Sequence, residues 1–220
     1  MKPTEKELKT ALNIVDILLK NNFLDAVIDG DEDTFEEWCN KYCDLLCDND
    51  LEGHCGVSKV CITAKDLPDW VIKTGFVSND DEYDYCAIEA DNYQSAIVAG
   101  LDEFFAADYE LYTVIPPEKY HFDRKIVFYI QERADPDEEK VSWTCYNYMS
   151  SSNDCNEDED EEDYGYDDYD RLESLFADSY KRLDELFAFI KDWDINDLHT
   201  GNFGYTSKGL VKIIDYSGIR

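Results

Sequence analysis

The sequence predicts an α+β chain, and three observations lead to that class. Apolar residues first recur at helical spacing behind capping signals. From Gly53 the period changes to short β-branched and aromatic runs, interrupted by one long helical stretch. Helical spacing then returns over Leu172–Ile190, before a Gly-bearing loop and a last short β-like run. With 220 residues the chain is long enough for one large domain or two small lobes with a sizeable core.

At the amino end, Thr4 and Glu7 frame a capping box ahead of Leu8, Leu12, Val15, Leu18 and Leu19, which predicts an amphipathic helix ending near Asn21-Asn22. The same pattern recurs at Thr34 and Glu37, ahead of Phe35, Trp38, Tyr42, Leu45 and Leu46. Asp-rich turns at Asp29-Gly30-Asp31 and Asp48-Asn49-Asp50 bound this second helix. Cys39, Cys43 and Cys47 share one face of it, with His54 and Cys55 following. Thiolates and imidazole suit zinc, but the spacing matches no common finger or ribbon. Packing as small hydrophobes is therefore the expected role.

Next comes Gly53-His54-Cys55-Gly56-Val57-Ser58-Lys59, leading into a strand at Val60-Cys61-Ile62-Thr63. A turn at Ala64–Pro68 precedes a second strand, Trp70-Val71-Ile72-Lys73-Thr74. Lys73 sits inside an apolar run. It either reaches solvent from an edge strand or needs a partner, because an ammonium taken from water is costly unless paired. Asp84 to Phe105 reads as a long helix, with Ile88, Ala96, Ile97, Leu101, Phe104 and Phe105 as its apolar set. Two further strands follow, Leu111–Ile115 and Ile126–Glu132, parted by Pro116-Pro117. From Asp135 to Asp170 the sequence turns irregular, with the acidic run Asn156–Asp163 and then Tyr164, Tyr166 and Tyr169 among Gly and Asp. Like charges repel, so this predicts a solvated, mobile insertion. Asp170 caps the next helix, whose apolar face runs Leu172, Leu175, Phe176, Tyr180, Leu183, Leu186, Phe187, Ile190.

The last stretch carries the chemistry. Ile195–Gly204 holds Asp197 and, five residues on, Asn202; Leu210–Ile214 then delivers Asp215. One carboxylate to orient a hydroxyl, with an amide and a second carboxylate to hold Mg²⁺, are the parts a phosphoryl-transfer site needs. A β-hairpin whose Asp and Asn serve only its turns is the plain alternative. Asp197-Leu198-His199-Thr200-Gly201-Asn202 resembles the catalytic loop of protein-kinase-like and aminoglycoside-phosphotransferase-like enzymes. Asp215-Tyr216-Ser217-Gly218 resembles their Asp-Phe-Gly motif, and Val71-Ile72-Lys73 their lysine strand.

The resemblance implies roles along residues 50 to 220. Asp197 is the expected catalytic base, and Asn202 and Asp215 are the expected Mg²⁺ ligands. Lys73 is expected on the α- and β-phosphates, with Glu89 as its ion-pair partner. Backbone near Gly56 and Ser58 would approach phosphates, and the backbone around Gln131, Glu132 and Arg133 the adenine edge. The segment Glu89–Ala106 also resembles a helix of small kinase-like proteins from phages and bacteria. The implied fold is a protein-kinase-like bilobal one, with a small antiparallel-sheet N-lobe and a truncated, mainly helical C-lobe, preceded by two helices. Its boundaries are 1–50 for the helical extension, 51–133 for the N-lobe, 134–170 for the acidic insertion and 171–220 for the C-lobe. The chain departs from the family where Ile195-Asn196 replaces the usual His-Arg, and in ending at Arg220 without an activation segment. His199 follows the small-molecule phosphotransferase form.

The implied activity is ATP- and Mg-dependent transfer of a γ-phosphate to a hydroxyl of a protein or small molecule. The alternatives are an inactive pseudokinase or acidic decoy that holds a basic or DNA-binding partner, and an acidic structural protein without a ligand. A formal charge of −32 argues against direct binding to nucleic acid or anionic membranes. The amino end shows no secretory pattern and no apolar run is long enough to span a bilayer, so a cytoplasmic protein with reduced thiols is expected.

Overall fold

The computed structural model describes residues 1–79, 83–136, 176–195 and 200–217. The acidic insertion beyond Pro136 and the segment holding Asp197 and His199 lie outside the described residues. The chain forms two compact units, one of Met1–Asp91 with Ala107–Arg133, the other of Asn92–Ala106 with Ala134–Arg220. It is a mixed α/β structure with antiparallel sheets. Among the described residues no helix is long and apolar enough to cross a membrane.

In the first unit, α1 (Glu5–Lys20) begins with the expected capping box on Thr4 and Glu7. Its buried stripe is Ala11, Ile14, Val15 and Leu18, while Leu12 of the expected set is exposed. A four-residue α2 (Leu24–Val27) follows. The second predicted helix differs in start and continuity. The cap of α3 (Glu32–Lys41) is Asp31, whose Oδ1 accepts from the Thr34 amide at 2.9 Å, so Thr34 is held by the cap rather than being it. The helix breaks at Tyr42, and α4 (Cys43–Asp48) follows it. Cys39 is half-buried; Cys43 and Cys47 are exposed rather than packed as small hydrophobes. Among the described residues no group of three His, Cys, Asp or Glu side chains is placed to hold a metal ion.

The sheet runs β1 (Leu51–Cys55), β2 (Lys59–Ala64), β3 (Trp70–Gly75), β4 (Asp108–Val114) and β5 (Ile126–Glu132), in spatial order β1-β2-β3-β5-β4, antiparallel throughout. Of the stretch from Gly53, expected as a lead-in, Gly53, His54 and Cys55 belong to β1. Register decides the two faces, because side chains alternate. Val60↔Thr74, Ile62↔Ile72 and Ile72↔Ile130 place Val60, Ile62, Ile72, Phe128 and Ile130 on one side. That apolar side takes the amino-terminal helices: Phe23 meets Phe128 with ring centroids 6.0 Å apart, and Trp70 Nε1 donates to Glu7 Oε1 at 3.1 Å. Cys61↔Lys73, Lys73↔Tyr129 and Asp108↔Gln131 place Lys59, Lys73, Tyr129, Gln131 and Asp108 on the other side.

Helix α5 (Tyr85–Ala99) stops short of the predicted Phe105. Gly100 takes φ +71°, the Leu101 amide donates to Ala96 O at 2.7 Å and the Gly100 amide to Ile97 O at 3.1 Å, a glycine-terminated helix end. Ile97 of the expected apolar set is exposed.

In the second unit Phe104–Ala106 runs beside β8 (Val211–Ile213), with the Ala106 amide on Ile213 O and the Ile213 amide on Phe104 O, each 2.8 Å. β8 pairs with β7 (Phe203–Tyr205), and β7 with the two-residue β6 (Asp135–Pro136). The predicted five-turn helix is, over its described part, a 3₁₀ segment (Ala177–Arg182) followed by α6 (Leu183–Asp192). Leu183, Leu186, Phe189 and Ile190 are its buried face, and Phe105 packs edge-on against Phe189 at 5.7 Å.

Candidate functional site

On the polar face of the first unit's sheet, strand pairing and α5 gather a buried ionic centre. Lys73 Nζ donates to Glu89 Oε2 at 2.6 Å, and Lys59 Nζ to Glu89 Oε1 at 2.6 Å. The expected Lys73–Glu89 pair therefore forms, and a second lysine shares the carboxylate. The Glu89 side chain is 0% exposed and that of Lys73 4%, so neither charge leans on bulk water. Burial by itself pushes the Lys73 ammonium's pKa down. The charge of Glu89, helped by Cys61, Cys86 and Asp108, outweighs it and holds Lys73 well above the usual lysine range. Lys73 donates a second hydrogen bond to Gln131 Oε1 at 3.2 Å, and Gln131 Nε2 donates to Asp108 Oδ2 at 3.3 Å. The centre is a connected run: Lys59, Glu89, Lys73, Gln131, Asp108.

Sequence reading missed Lys59, Asp108 and the Gln131 side chain. The signal was there only as alternation. Once Lys73 is put on one face, pairing places Cys61 opposite it and Lys59 two residues along on the same side. Register is not written in a single strand, so Lys59 read as the end of a turn.

The Gly56–Ser58 turn closes the β1–β2 hairpin, with the Gly56 amide on Lys59 O at 2.9 Å and the Phe76 amide on Ser58 O at 3.0 Å. A Cβ added at Gly56 would meet nothing within 4 Å, so the backbone there is approachable. At the end of β5 both amides are engaged within the chain: Glu132 donates to Ala107 O at 2.7 Å and Arg133 to Asp69 O at 2.9 Å. The Glu132 side chain is buried, and its Oε2 accepts from the Ala107 amide at 3.3 Å.

The second unit holds Asn202 and Asp215 together. Asn202 ends a 3₁₀ turn (Thr200–Asn202) directly before β7, and the Ile214 amide donates to Asn202 O at 2.9 Å, one residue before Asp215. One residue after it, Tyr216 is fully buried and tied at both ends. Its hydroxyl donates to Ala106 O at 2.7 Å, and its carbonyl accepts from Asn92 Nδ2 at 2.7 Å. Asp215 thus projects from a backbone fixed on either side. Its Oδ1 accepts from Ser217 Oγ at 3.3 Å. An amide oxygen and a carboxylate are hard oxygen donors of the kind magnesium takes. Asp197, the expected base, lies outside the described residues.

No protein-family model matches the chain, and no curated protein matches it. Among solved structures, a crystal structure of an aminoglycoside phosphotransferase from Alicyclobacillus acidocaldarius is similar at 14% identity with a TM-score of 0.32. The match covers 77% of this chain, which spans 62% of the length of that one.

Proposed function

We propose that the protein is a kinase-like phosphotransferase that uses ATP and Mg²⁺ to phosphorylate a hydroxyl on a protein. The observation that carries this reading is the buried Lys73–Glu89 pair, at 2.6 Å, between the strand lysine and helix glutamate that the resemblance singles out. In this reading Lys73 engages phosphate oxygens, and Glu89 keeps its ammonium charged and aimed. Asn202 and Asp215 hold the metal, and Asp197 orients the acceptor hydroxyl. Bound Mg²⁺ supplies positive charge where the β- and γ-phosphates carry negative charge. Backbone at Gly56 and Ser58 approaches the phosphates, and the chain at Glu132 borders the base.

The test is thermal unfolding with and without Mg-ATP, beside transfer of labelled phosphate. Saturation to about 100 times Kd stabilises a folded protein by roughly 2.7 kcal/mol. The reading expects that rise in wild type and its loss in Lys73→Met and Asp215→Ala, with transfer also lost in Asp197→Ala. Equal label incorporation by wild type and Asp215→Ala would sink it. A net charge of −32 favours a second reading, an acidic binder of a basic protein that needs no nucleotide. Salt-sensitive capture of a basic partner, unchanged by Lys73→Met, with no response to Mg-ATP, selects that one.

A further inference from the structure

Asp108 opens β4 with its side chain fully buried on the polar face of the sheet. One oxygen, Oδ2, accepts from Gln131 Nε2 at 3.3 Å; the other, Oδ1, has no hydrogen-bond partner among the described residues. A buried carboxylate with an orphaned oxygen is costly, and a chain keeps one where it does something.

Gln131 shows what it does. The amide lies between a group that only donates, the Lys73 ammonium, and a group that, when ionised, only accepts, the Asp108 carboxylate. One orientation satisfies both, with nitrogen toward Asp108 and oxygen toward Lys73, and that is the orientation seen. Turned over, the amide would aim N–H at an ammonium and oxygen at a carboxylate. The charge on Asp108 therefore locks Gln131 in the orientation that Lys73 also favours, and Gln131 fixes the direction of one Lys73 N–H.

We propose that Asp108 is a positioning residue for the Lys73 ammonium, acting through the Gln131 side-chain amide and only while its carboxylate is ionised. Its use in catalysis rests on the reading of Lys73 as a phosphate-binding group; the orientation of Gln131 does not. The groups facing Asp108 are Lys73 on β3, Glu89 on α5, Gln131 and Tyr129 on β5, and Glu110 on its own strand. Burial lifts the Asp108 carboxyl to about 7, opposed by Lys73, helped by Glu89, and opposed again by the Gln131 hydrogen bond and the Tyr109 backbone amide. Lys73 stays charged across this range. Once Asp108 takes a proton, its O–H is a donor and no longer obliges Gln131 to present nitrogen.

The experiment follows the Gln131 side-chain amide of the full chain by ¹⁵N NMR over roughly pH 5 to pH 9, beside Mg-ATP affinity over the same range. The amide resonance is expected to titrate with a midpoint near 7 in wild type and to be flat in Asp108→Asn. Mg-ATP affinity is expected to fall several-fold on acidification in wild type. It is expected to lose that dependence in Asp108→Asn and in Gln131→Leu, the latter with Asp108 still present. An amide that does not titrate in wild type overturns the inference, and this arm needs no variant to fold. A wild-type pH profile of affinity kept in Asp108→Asn overturns it as well. A titrating amide in a chain that never responds to Mg-ATP leaves the positioning in place and defeats the nucleotide reading instead.

Discussion

Lys73 and Asp215 are both charged residues on or just beyond a short strand, yet the two units hold them by different means. Lys73 is set by side chains: Glu89 and Gln131 each take one of its N–H groups in a region closed to water. Asp215 is half-buried and accepts from Ser217 Oγ, and the backbone on either side of it is anchored, by the Ile214 amide on Asn202 before it and the doubly tied Tyr216 after it. A charge in a dry sheet needs a counter-charge, so the groups that orient it also hold the fold together. A charge on an anchored hairpin end can be removed and leave the anchor standing. Under the proposed function, stability and chemistry are fused in the first centre and separable in the second.

The largest effect should come from Glu89. Glu89→Ala removes the carboxylate that two buried ammonium groups share, a loss of about 3–5 kcal/mol. Urea unfolding measures it. Lys73→Met should cost less, because Glu89 keeps Lys59 at 2.6 Å. If Glu89→Ala proves the milder of the two, the first centre is not held together by its carboxylate and the contrast collapses.

Asp108→Asn sharpens the same point through pH. An acid whose folded pKa, about 7, lies above its ordinary 3.8 is more protonated folded than unfolded between those values. Its favourable contribution is complete below 3.8 and lost as pH rises through about 7, so the wild type loses stability to this group on going alkaline. Asparagine has no charge to desolvate and can still accept from Gln131. The variant should match wild type near pH 4 and exceed it at pH 8, by at most about 4 kcal/mol. A stability difference that stays constant across that range, read by denaturant unfolding at each pH, removes the buried charge from the account.

Much of the first centre was legible because chemistry demanded it. A lysine inside Trp70–Thr74 needs an anion unless its strand is an edge, and the family resemblance singled out Glu89 on the next helix. The hairpin carrying Asn202 and Asp215 was legible from its glycines and apolar run. What failed did so for nameable reasons. The inward face of α5 carries Glu89 and Asn92 beside Cys86, Tyr93 and Ala96, so its apolar pattern was broken where it is most buried, and the reading drifted to Ile97 and past Gly100. Thr34 looked like a cap because Asp31, three residues earlier, supplies the cap to which Thr34 binds. Lys59 and Asp108 depended on strand register, a long-range property no local window carries.

A smaller effect tests whether backbone anchoring governs the second unit. Gly204 pairs with Pro136, and a Cβ there would come within 2.7 Å of Ala134 O and 2.8 Å of Ala134 C, both backbone atoms with no freedom to move aside. Gly204→Ala should cost about 1–3 kcal/mol as strain. Gly56→Ala, whose Cβ meets nothing within 4 Å, should be close to neutral for stability. Equal thermal shifts for the two would mean that the β6–β7 contact contributes little to placing Asn202.

Asp215→Ala should change stability least, by about 0.5 kcal/mol or less, as expected where a partly exposed side chain is removed. Under the proposed function it should nevertheless cost at least a hundredfold in transfer, on the order of what a charge-stabilising group contributes. That combination, a fold untouched and a reaction lost, is what distinguishes the second centre from Glu89, where both go together. If Asp215→Ala instead melts far below wild type, Asp215 is itself part of the anchor. The backbone bonds from Ile214 and Tyr216 then follow from its placement rather than cause it, and the two centres are built on one principle after all.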